Sequence, residues 1–160
     1  MAGRTAPQLA FAAADIESGE GLELMRAMRA EIADLYDGLD LDGAAMPTAG
    51  ATELSPPGGA FVVGSHDDLA VCCGGVKRLD ERRCELKRMY VVPTMRGRGV
   101  ARALLHELEG RARRLGYEIA RLDTGPRQPH SRSLFESEGY APIENFNANP
   151  IAVFWGEKPL

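Results

Sequence analysis

The sequence predicts a mixed α/β fold in which an antiparallel meander precedes a strand–helix–strand unit. Three runs typical of β-strands, AFVVGS (60–65), LAVCCGGVKRL (69–79) and RCELKRMYVV (83–92), are separated by short turn signals. Apolar residues at helical spacing follow over 99–115, and the strand-like run YEIARLDT (117–124) comes next. A helix between two strands indicates a parallel crossover, so we expect a mixed sheet.

The other elements follow from local patterns. Residues 8–14 indicate a short opening strand, and residues 21–36 have the apolar spacing of a helix. Residues 39–59 are rich in Gly, Pro, Asp and Ala, which indicates a long irregular connection. A short helix over 131–138 and a last strand within 151–160 complete the prediction.

Within the third strand the apolar residues change parity. Cys84 and Leu86 keep one parity, and from Met89 onward the apolar residues take the other, as though one residue were inserted near Lys87 or Arg88. A β-bulge has this effect, and bulges re-aim groups beside active sites. A strand that is buried on both faces near its end also accounts for the pattern.

The composition is that of one globular domain, and we expect residues 1–160 to form it. Apolar residues make up 44% and charged residues 26% of the chain, a balance typical of soluble domains. The N-terminal residues lack the apolar stretch of a signal peptide, and no apolar run approaches the roughly 20 residues that cross a bilayer. We therefore expect a cytoplasmic protein without a membrane partner.

The composition does not favour a metal or nucleic-acid site. Cys72, Cys73 and Cys84 lack the paired spacing of a zinc site, and we expect buried, reduced thiols; the three histidines are isolated. A net charge of −4 does not suit a nucleic-acid binder. Between Ala30 and Val76, however, there are eight acidic residues and no Lys or Arg, and basic residues gather in the second half. This polarity indicates either a cation-binding half and a polyanion-binding half or two differently solvated faces.

The joint between the third strand and the long helix has the features of a phosphate site. Arg96-Gly97-Arg98-Gly99 precedes the helix, and helix N-termini offer free N–H groups that glycines leave accessible. Arginines add charge-assisted contacts to phosphate. The stretch is not a Walker A loop, because no Lys and hydroxyl follow Gly99, and it is not a dinucleotide loop, because Arg102 holds the place of the third glycine.

With Val91-Val92-Pro93 before it, this stretch resembles the pyrophosphate loop R-x-x-G-x-A of the GNAT superfamily of acyl-coenzyme A-dependent N-acetyltransferases. SLFESEGY (133–140) is similar to the family's short helix, L-Y-E-x-x-G-F or -Y. NFNANPIAVFWGEKPL (145–160) is similar to the end of many small bacterial members, which carry Y-N-x-N-P and then a W-F-E-K strand. The matches cover roughly residues 60–160, and the sequence is identified as a member of this superfamily.

The resemblance implies a sheet of six or seven strands, flanked by helices and splayed at the cofactor site. Acetyl-CoA would lie between the strands at 84–92 and 117–124, with its pantetheine arm along the first strand and its pyrophosphate on the loop. One residue, Gln128, falls where many members place an Asn that bonds the arm. The implied cofactor contacts are Met89, Tyr90, Val91, Arg96, Gly97, Arg98, Gly99, Val100, Ala101, Gln128, Ser131 and Phe135.

The resemblance also implies that a carboxylate removes a proton from the acceptor amine. Glu85 is our candidate, because it lies on the strand that bears the acid in the family, and it would act directly or through water. The alternative is a surface carboxylate that pairs with Lys87 or Arg83.

The group that protonates the leaving thiolate is left open by the sequence. The family usually has a Tyr where this chain has Phe135, which has no proton to donate. Tyr90 is our catalytic candidate, with Ser131, Ser133 and His130 as others. Water is a further possibility, as is departure of the thiolate without protonation.

The acceptor would enter beside the first helix and the connection after it, which are acidic. Asp34, Tyr36, Asp37 and Asp40 are the candidate substrate residues, and an acidic rim favours a small cationic primary amine. Acetylation of a protein or peptide amine and a non-catalytic acyl-CoA sensor are the alternatives. Many relatives are dimers, so a homodimer is possible.

Overall fold

A computed structural model describes residues 5–160; the first four residues of the predicted domain lie outside this range. Seven strands form one mixed sheet in the order β1-β2-β3-β4-β5-β7-β6, which confirms the predicted fold class. The strands are β1 (Ala10–Ala13), β2 (Ala60–His66), β3 (Leu69–Arg78), β4 (Arg83–Val91), β5 (Ile119–Thr124), β6 (Ala141–Pro142) and β7 (Phe154–Pro159). The helices are α1 (Gly19–Leu35), α2 (Val100–Arg114) and α3 (Pro129–Ser137), and a single 3₁₀ turn covers Pro93–Met95.

A β-bulge interrupts the pairing of β3 with β4. Cys73 pairs with Tyr90 and Gly75 pairs with Lys87, so two residues of β4 face one residue of β3. The first of the two is Arg88, whose φ is +58°. The bulge accounts for the change of apolar parity in the sequence and confirms the inserted residue near Lys87 or Arg88.

The sheet is splayed where β4 meets β5. These parallel strands pair only over Arg83–Glu85 and Ile119–Arg121, although both continue beyond that point. On its other side β5 pairs over its full length with β7. The carboxyl ends of β4 and β5 therefore diverge, and one edge of each faces a gap.

The sheet separates two apolar layers. One layer packs under α2 and contains Cys72 and Leu104. The other packs under α1 and contains Cys73 and Met25. Adjacent cysteines lie on opposite faces because successive side chains of a strand alternate, and all three cysteines are free and buried, as the sequence predicted.

The last strand is shorter than the predicted segment, since it begins at Phe154. Asparagine side chains explain the difference. Asn149 Oδ1 accepts hydrogen bonds from the N–H groups of Ile151 and Ala152, and Asn145 Oδ1 accepts from Asn147 and Ala148. These local bonds hold turns in place of a strand.

Candidate active site

A cavity of about 120 Å³ lies where β4 and β5 diverge. Its walls come from α1, the connection that follows α1, the ends of β4 and β5, the start of α3, and residues 149–152. The sequence-predicted site residues that line it are Tyr36, Met89, Gln128, Ser131 and Phe135. The bulge and the splay thus bring together residues that are about 90 positions apart along the chain.

Glu85 is not a surface carboxylate. Its side chain is fully buried, and Lys87 Nζ lies 3.1 Å from its Oε2. Asn147 Nδ2 donates to the same oxygen at 2.9 Å, whereas Oε1 is buried without a partner among the described residues. Burial raises the pKa of Glu85, Lys87 lowers it, and nearby Asp123 raises it, so the carboxyl group is a stronger base than an exposed glutamate.

Asp123 joins this carboxylate to the cavity, and the sequence analysis did not find it. Asn147 Nδ2 donates to Asp123 Oδ2 at 2.6 Å and Asn149 Nδ2 at 3.0 Å. Trp155 Nε1 donates to Asn147 Oδ1 at 3.0 Å, which fixes the orientation of that amide. Asp123 itself lines the cavity. The N-x-N segment was noted as a family resemblance, and it was the available signal for this network.

The loop before α2 is open for an anion. Gly97 and Gly99 have φ values of +72° and +83°. A Cβ at Gly97 would meet nothing within 4 Å, and one at Gly99 would meet only the Ala6 Cβ at 3.7 Å. The N–H groups of Gly97, Gly99, Val100 and Ala101 form no hydrogen bond with another described residue. This free set of donors at a helix N-terminus is the arrangement that binds phosphate.

Arg96, an expected phosphate contact, also has protein partners. Its Nη2 lies 2.6 Å from Glu31 Oε2, its Nε donates to the carbonyl of Val91 at 2.9 Å, and its guanidinium lies 5.6 Å from the centre of the Tyr90 ring. Arg96 thus ties the loop to α1 and to β4. Arg98 Nη1 contacts Met95 Sδ at 3.1 Å and has no acidic partner among the described residues.

The structure places Tyr90 outside the cavity. Its ring packs in the apolar layer under α1 and is 8% exposed, because the bulge turns this part of β4 toward that helix. The phenol that lines the cavity belongs to Tyr36. Its hydroxyl donates to Gln128 Oε1 at 3.1 Å and accepts from the N–H of Arg127 at 3.2 Å, and burial raises the pKa of Tyr36.

The predicted substrate residues divide into two groups. Tyr36 lies in the cavity wall, whereas Asp34, Asp37 and Asp40 are exposed and lie outside it. Asp37 Oδ2 lies 3.4 Å from Arg127 Nη1. Phe135 is buried against Tyr140, with ring centres 6.0 Å apart, and presents its other side to the cavity.

Two further observations concern the chain from residue 5 onward. Its helices include none that is both long and apolar enough to cross a bilayer. It also contains no cluster of three or more His, Cys, Asp or Glu side chains arranged to hold a metal ion.

The site fits acetyl-CoA on the strength of its own geometry. A strand edge at Met89 and Val91 faces the gap that β5 leaves, and an extended ligand can add to such an edge by backbone hydrogen bonds. The free N–H groups of the loop before α2 begin a few residues later. A strand edge followed by an anion site matches an extended arm that ends in a pyrophosphate.

Comparison with known proteins agrees with this geometry. A family model described as the acetyltransferase (GNAT) family matches residues 25–140. An IAA acetyltransferase of Azospirillum brasilense is 34% identical over 111 residues, which cover 67% of this chain and 72% of that protein. The uncharacterized N-acetyltransferase YsnE of Bacillus subtilis is 31% identical over 68% of this chain and 76% of its own length.

Solved structures show the same fold. A Klebsiella pneumoniae protein described as an acyl-CoA N-acyltransferase superposes with a TM-score of 0.75 and 26% identity, over 95% of this chain and 97% of that one. A GNAT family acetyltransferase from Elizabethkingia anophelis, solved with acetyl-CoA bound, has a TM-score of 0.66 at 13% identity, over 95% and 98% of the two chains. From the family match over residues 25–140, the chain belongs to the GNAT acetyltransferase family and is an N-acetyltransferase that uses acetyl-CoA.

Proposed function

We propose that this chain transfers the acetyl group of acetyl-CoA directly to the primary amine of a small molecule, in a ternary complex. The observation that supports the proposal is the cavity at the splay, because Asp123, Tyr36 and the strand edge at Met89 share one space. Family members act on small-molecule or protein acceptors. A concave cavity of about 120 Å³ suits a small acceptor better than a protein segment.

Backbone groups of β4 and of the loop before α2 would hold acetyl-CoA, which supplies the activated acetyl group. The strand edge at Met89 and Val91 orients the arm, and the N–H groups of Gly97, Gly99, Val100 and Ala101 bind phosphate oxygens. A backbone N–H that points into the gap also stabilises negative charge on an acyl oxygen.

The acceptor ammonium must lose a proton before it attacks. Asp123 lies in the cavity wall and shares the Asn147 donor with the buried Glu85. We assign proton acceptance to this pair, with Asp123 facing the acceptor and the buried Glu85, whose own pKa is raised, behind it. The unpartnered Glu85 Oε1 is an acceptor that has room for a proton.

The leaving thiolate takes up a proton, and we assign Tyr36 as the donor. Tyr36 lines the same cavity as Phe135, and Phe135 holds the position at which the family usually has its Tyr. Its raised pKa keeps the phenol protonated at neutral pH. Tyr90 does not line the cavity, so we no longer favour it for this role.

The expected preference for a cationic acceptor depends on acidic side chains. Asp34 and Asp37 lie outside the cavity, so they act on an approaching ammonium only at longer range. A cytoplasmic location and a homodimer stay predictions.

The test is release of free thiol from acetyl-CoA with a panel of primary amines, amino acids and peptides, using wild type and Glu85→Gln. We expect turnover on at least one small amine and a loss of about 10²-fold or more in kcat for the variant. Turnover on peptides alone would favour a protein acetyltransferase. Binding of acetyl-CoA without turnover on any acceptor would favour a non-catalytic sensor, which is the reading that Phe135 supports.

A further inference from the structure

Arg88 is a buried cation in the wall of the cavity, and the roles assigned above leave it unused. It is the first residue of the β4 bulge, and its side chain is 4% exposed. A buried guanidinium is unfavourable unless carboxylates or other acceptors surround it. The acidic partners of Arg88 therefore indicate whether a ligand in the cavity could carry a negative charge.

The described protein groups leave the Arg88 guanidinium with an incomplete set of hydrogen-bond partners. Nη2 lies 3.3 Å from Asp42 Oδ1, but the side chain of Asp42 is 42% exposed. Asp42 is also engaged at 2.7 Å by Arg29 Nε. Arg88 Nε is buried and has no hydrogen-bond partner in residues 5–160. The carboxylate that contacts Arg88 is thus half-exposed and shared with Arg29, while Glu85 and Asp123 act on Arg88 without a hydrogen bond.

A second cation in the cavity wall differs from Arg88 in this respect. Lys87 also lines the cavity, but its ammonium group pairs with the fully buried Glu85 at 3.1 Å. Arg88 is therefore the cation that a ligand can still neutralise. A planar guanidinium with unused N–H donors matches a carboxylate, which can accept two parallel hydrogen bonds from it.

We propose that Arg88 binds a carboxylate of the acceptor, so that the acceptor is an amino acid or a close analogue. The proposal rests on the proposed function and specifies its substrate. The amine of such an acceptor lies toward Asp123 and its carboxylate toward Arg88, since both side chains line the cavity. The rest of the acceptor meets an apolar wall, which is formed by Met28, Ile32, Leu39, Leu41, Met46 and Ile151.

The apolar wall selects the test compounds. Leucine, methionine and phenylalanine are each compared with the corresponding amino acid amide and the corresponding decarboxylated amine, so that only the carboxylate changes. Thiol release gives kcat and KM for each compound. Calorimetric titration in the presence of free coenzyme A measures binding without turnover.

We expect at least one amino acid to have a kcat/KM about tenfold or more above its amide and its amine. Arg88→Met should raise KM, and the dissociation constant, for that amino acid by about 10- to 100-fold, because a charge-assisted hydrogen-bond pair is lost. KM for acetyl-CoA and kcat/KM for the decarboxylated amine should stay within about twofold of wild type. The KM of Arg88→Lys for that amino acid should lie between those of wild type and Arg88→Met, because lysine keeps the charge and lacks the planar guanidinium.

Two controls separate binding from folding. Thermal melting of Arg88→Met should match or exceed wild type, because the variant removes an incompletely paired buried charge. Arg82 lies in the turn before β4, its side chain is 62% exposed, and it pairs with Glu118. Arg82→Gln should leave KM, kcat and the dissociation constant for every acceptor unchanged.

The outcomes separate this inference from the proposed function. Turnover of amides and amines as good as that of the amino acids, with no effect of Arg88→Met, would overturn the inference and leave the proposed function standing. Arg88-dependent binding of amino acids without turnover on any acceptor would support the inference and overturn the proposed function. If the amino acids, the amides and the amines all show no binding and no turnover, the inference is overturned.

Discussion

Lys87 Nζ lies 3.1 Å from Glu85 Oε2, and neither side chain exposes more than 7% of its surface. The two residues are two positions apart on β4 and point to the same face of the sheet. Little water reaches this pair, so the Glu85 carboxylate is stabilised mainly by Lys87 and by the Asn147 amide. Protonation of Glu85 therefore changes the free energy of unfolding of the protein.

Replacing Lys87 by Met should destabilise the protein by about 3 kcal/mol at pH 8, because a buried carboxylate loses its counter-charge. Without Lys87 the pKa of Glu85 rises further above its value in the unfolded chain. The folded state then binds the extra proton more tightly, so the loss is complete above the folded-state pKa and shrinks as pH falls toward the unfolded value. Urea unfolding at several pH values measures this.

Lys77→Met is the control for that experiment. Lys77 lies on the neighbouring strand β3, and its Nζ donates to the carbonyl of Thr48 at 2.7 Å without a buried carboxylate. Its replacement should cost about 1 kcal/mol with no dependence on pH between 5 and 8. An equal and pH-independent loss in the two variants would contradict the buried pair.

The raised pKa of Glu85 also predicts the pH profile of the reaction. A general base works only when it is deprotonated, so kcat/KM should fall on the acid side at a pH above that expected for an exposed glutamate. The Glu85→Gln variant should lose this limb of the profile along with most of its kcat. An unchanged acid limb in Glu85→Gln would assign the titration to another group.

Tyr36→Phe tests the proton donor. We expect kcat to fall by about 10²-fold with KM for acetyl-CoA nearly unchanged, since the ring remains and only the hydroxyl is lost. The loss of its hydrogen bonds to Gln128 and Arg127 should cost about 1 kcal/mol of stability. Steady-state kinetics and urea unfolding measure the two effects.

Phe135→Tyr in the Tyr36→Phe background is the matched rescue. It places a phenol at the position where the family usually has one, and the side chain already lines the cavity. Partial recovery of kcat is expected. A Tyr36→Phe variant with wild-type kcat would show that the thiolate leaves without help from this residue.

Gly99→Ala should weaken coenzyme A binding more than it weakens the fold. Its φ of +83° makes any L side chain strained by about 1–2 kcal/mol, so the backbone that carries the free N–H groups would have to shift. Gly116 has a φ of +94° at the other end of α2, so Gly116→Ala has similar strain far from the loop. Calorimetry with coenzyme A should separate the two variants by tenfold or more, and equal dissociation constants would rule out the loop as the phosphate site.

Features with a local signature could be predicted from the sequence. The bulge near Arg88 changes the apolar parity of one strand, and the glycines at 97 and 99 mark a backbone that L side chains disfavour. The fold class follows from such patterns, with the strands and helices displaced by only a few residues at their ends.

The polar network could not be predicted in the same way. Glu85, Asp123 and Asn147 come from two strands and a loop, and no periodicity relates positions that meet only in the folded sheet. The pairing of Arg96 with Glu31 joins residues 65 positions apart, so no local pattern indicates it. Tyr90 lies on the strand that the resemblance gives to the pantetheine arm, and the sequence does not show that the bulge turns its side chain under α1.

The short pairing of β4 with β5 leaves a stretch of strand edge that bound acetyl-CoA can cover. The halves of the sheet meet over three residues of each strand, so a bound molecule that completes the missing ladder adds its binding free energy to the folded state only. At a cofactor concentration 100 times the dissociation constant this amounts to about 2.7 kcal/mol. The resistance of the protein to unfolding should therefore rise with the concentration of acetyl-CoA, even when no acceptor is present.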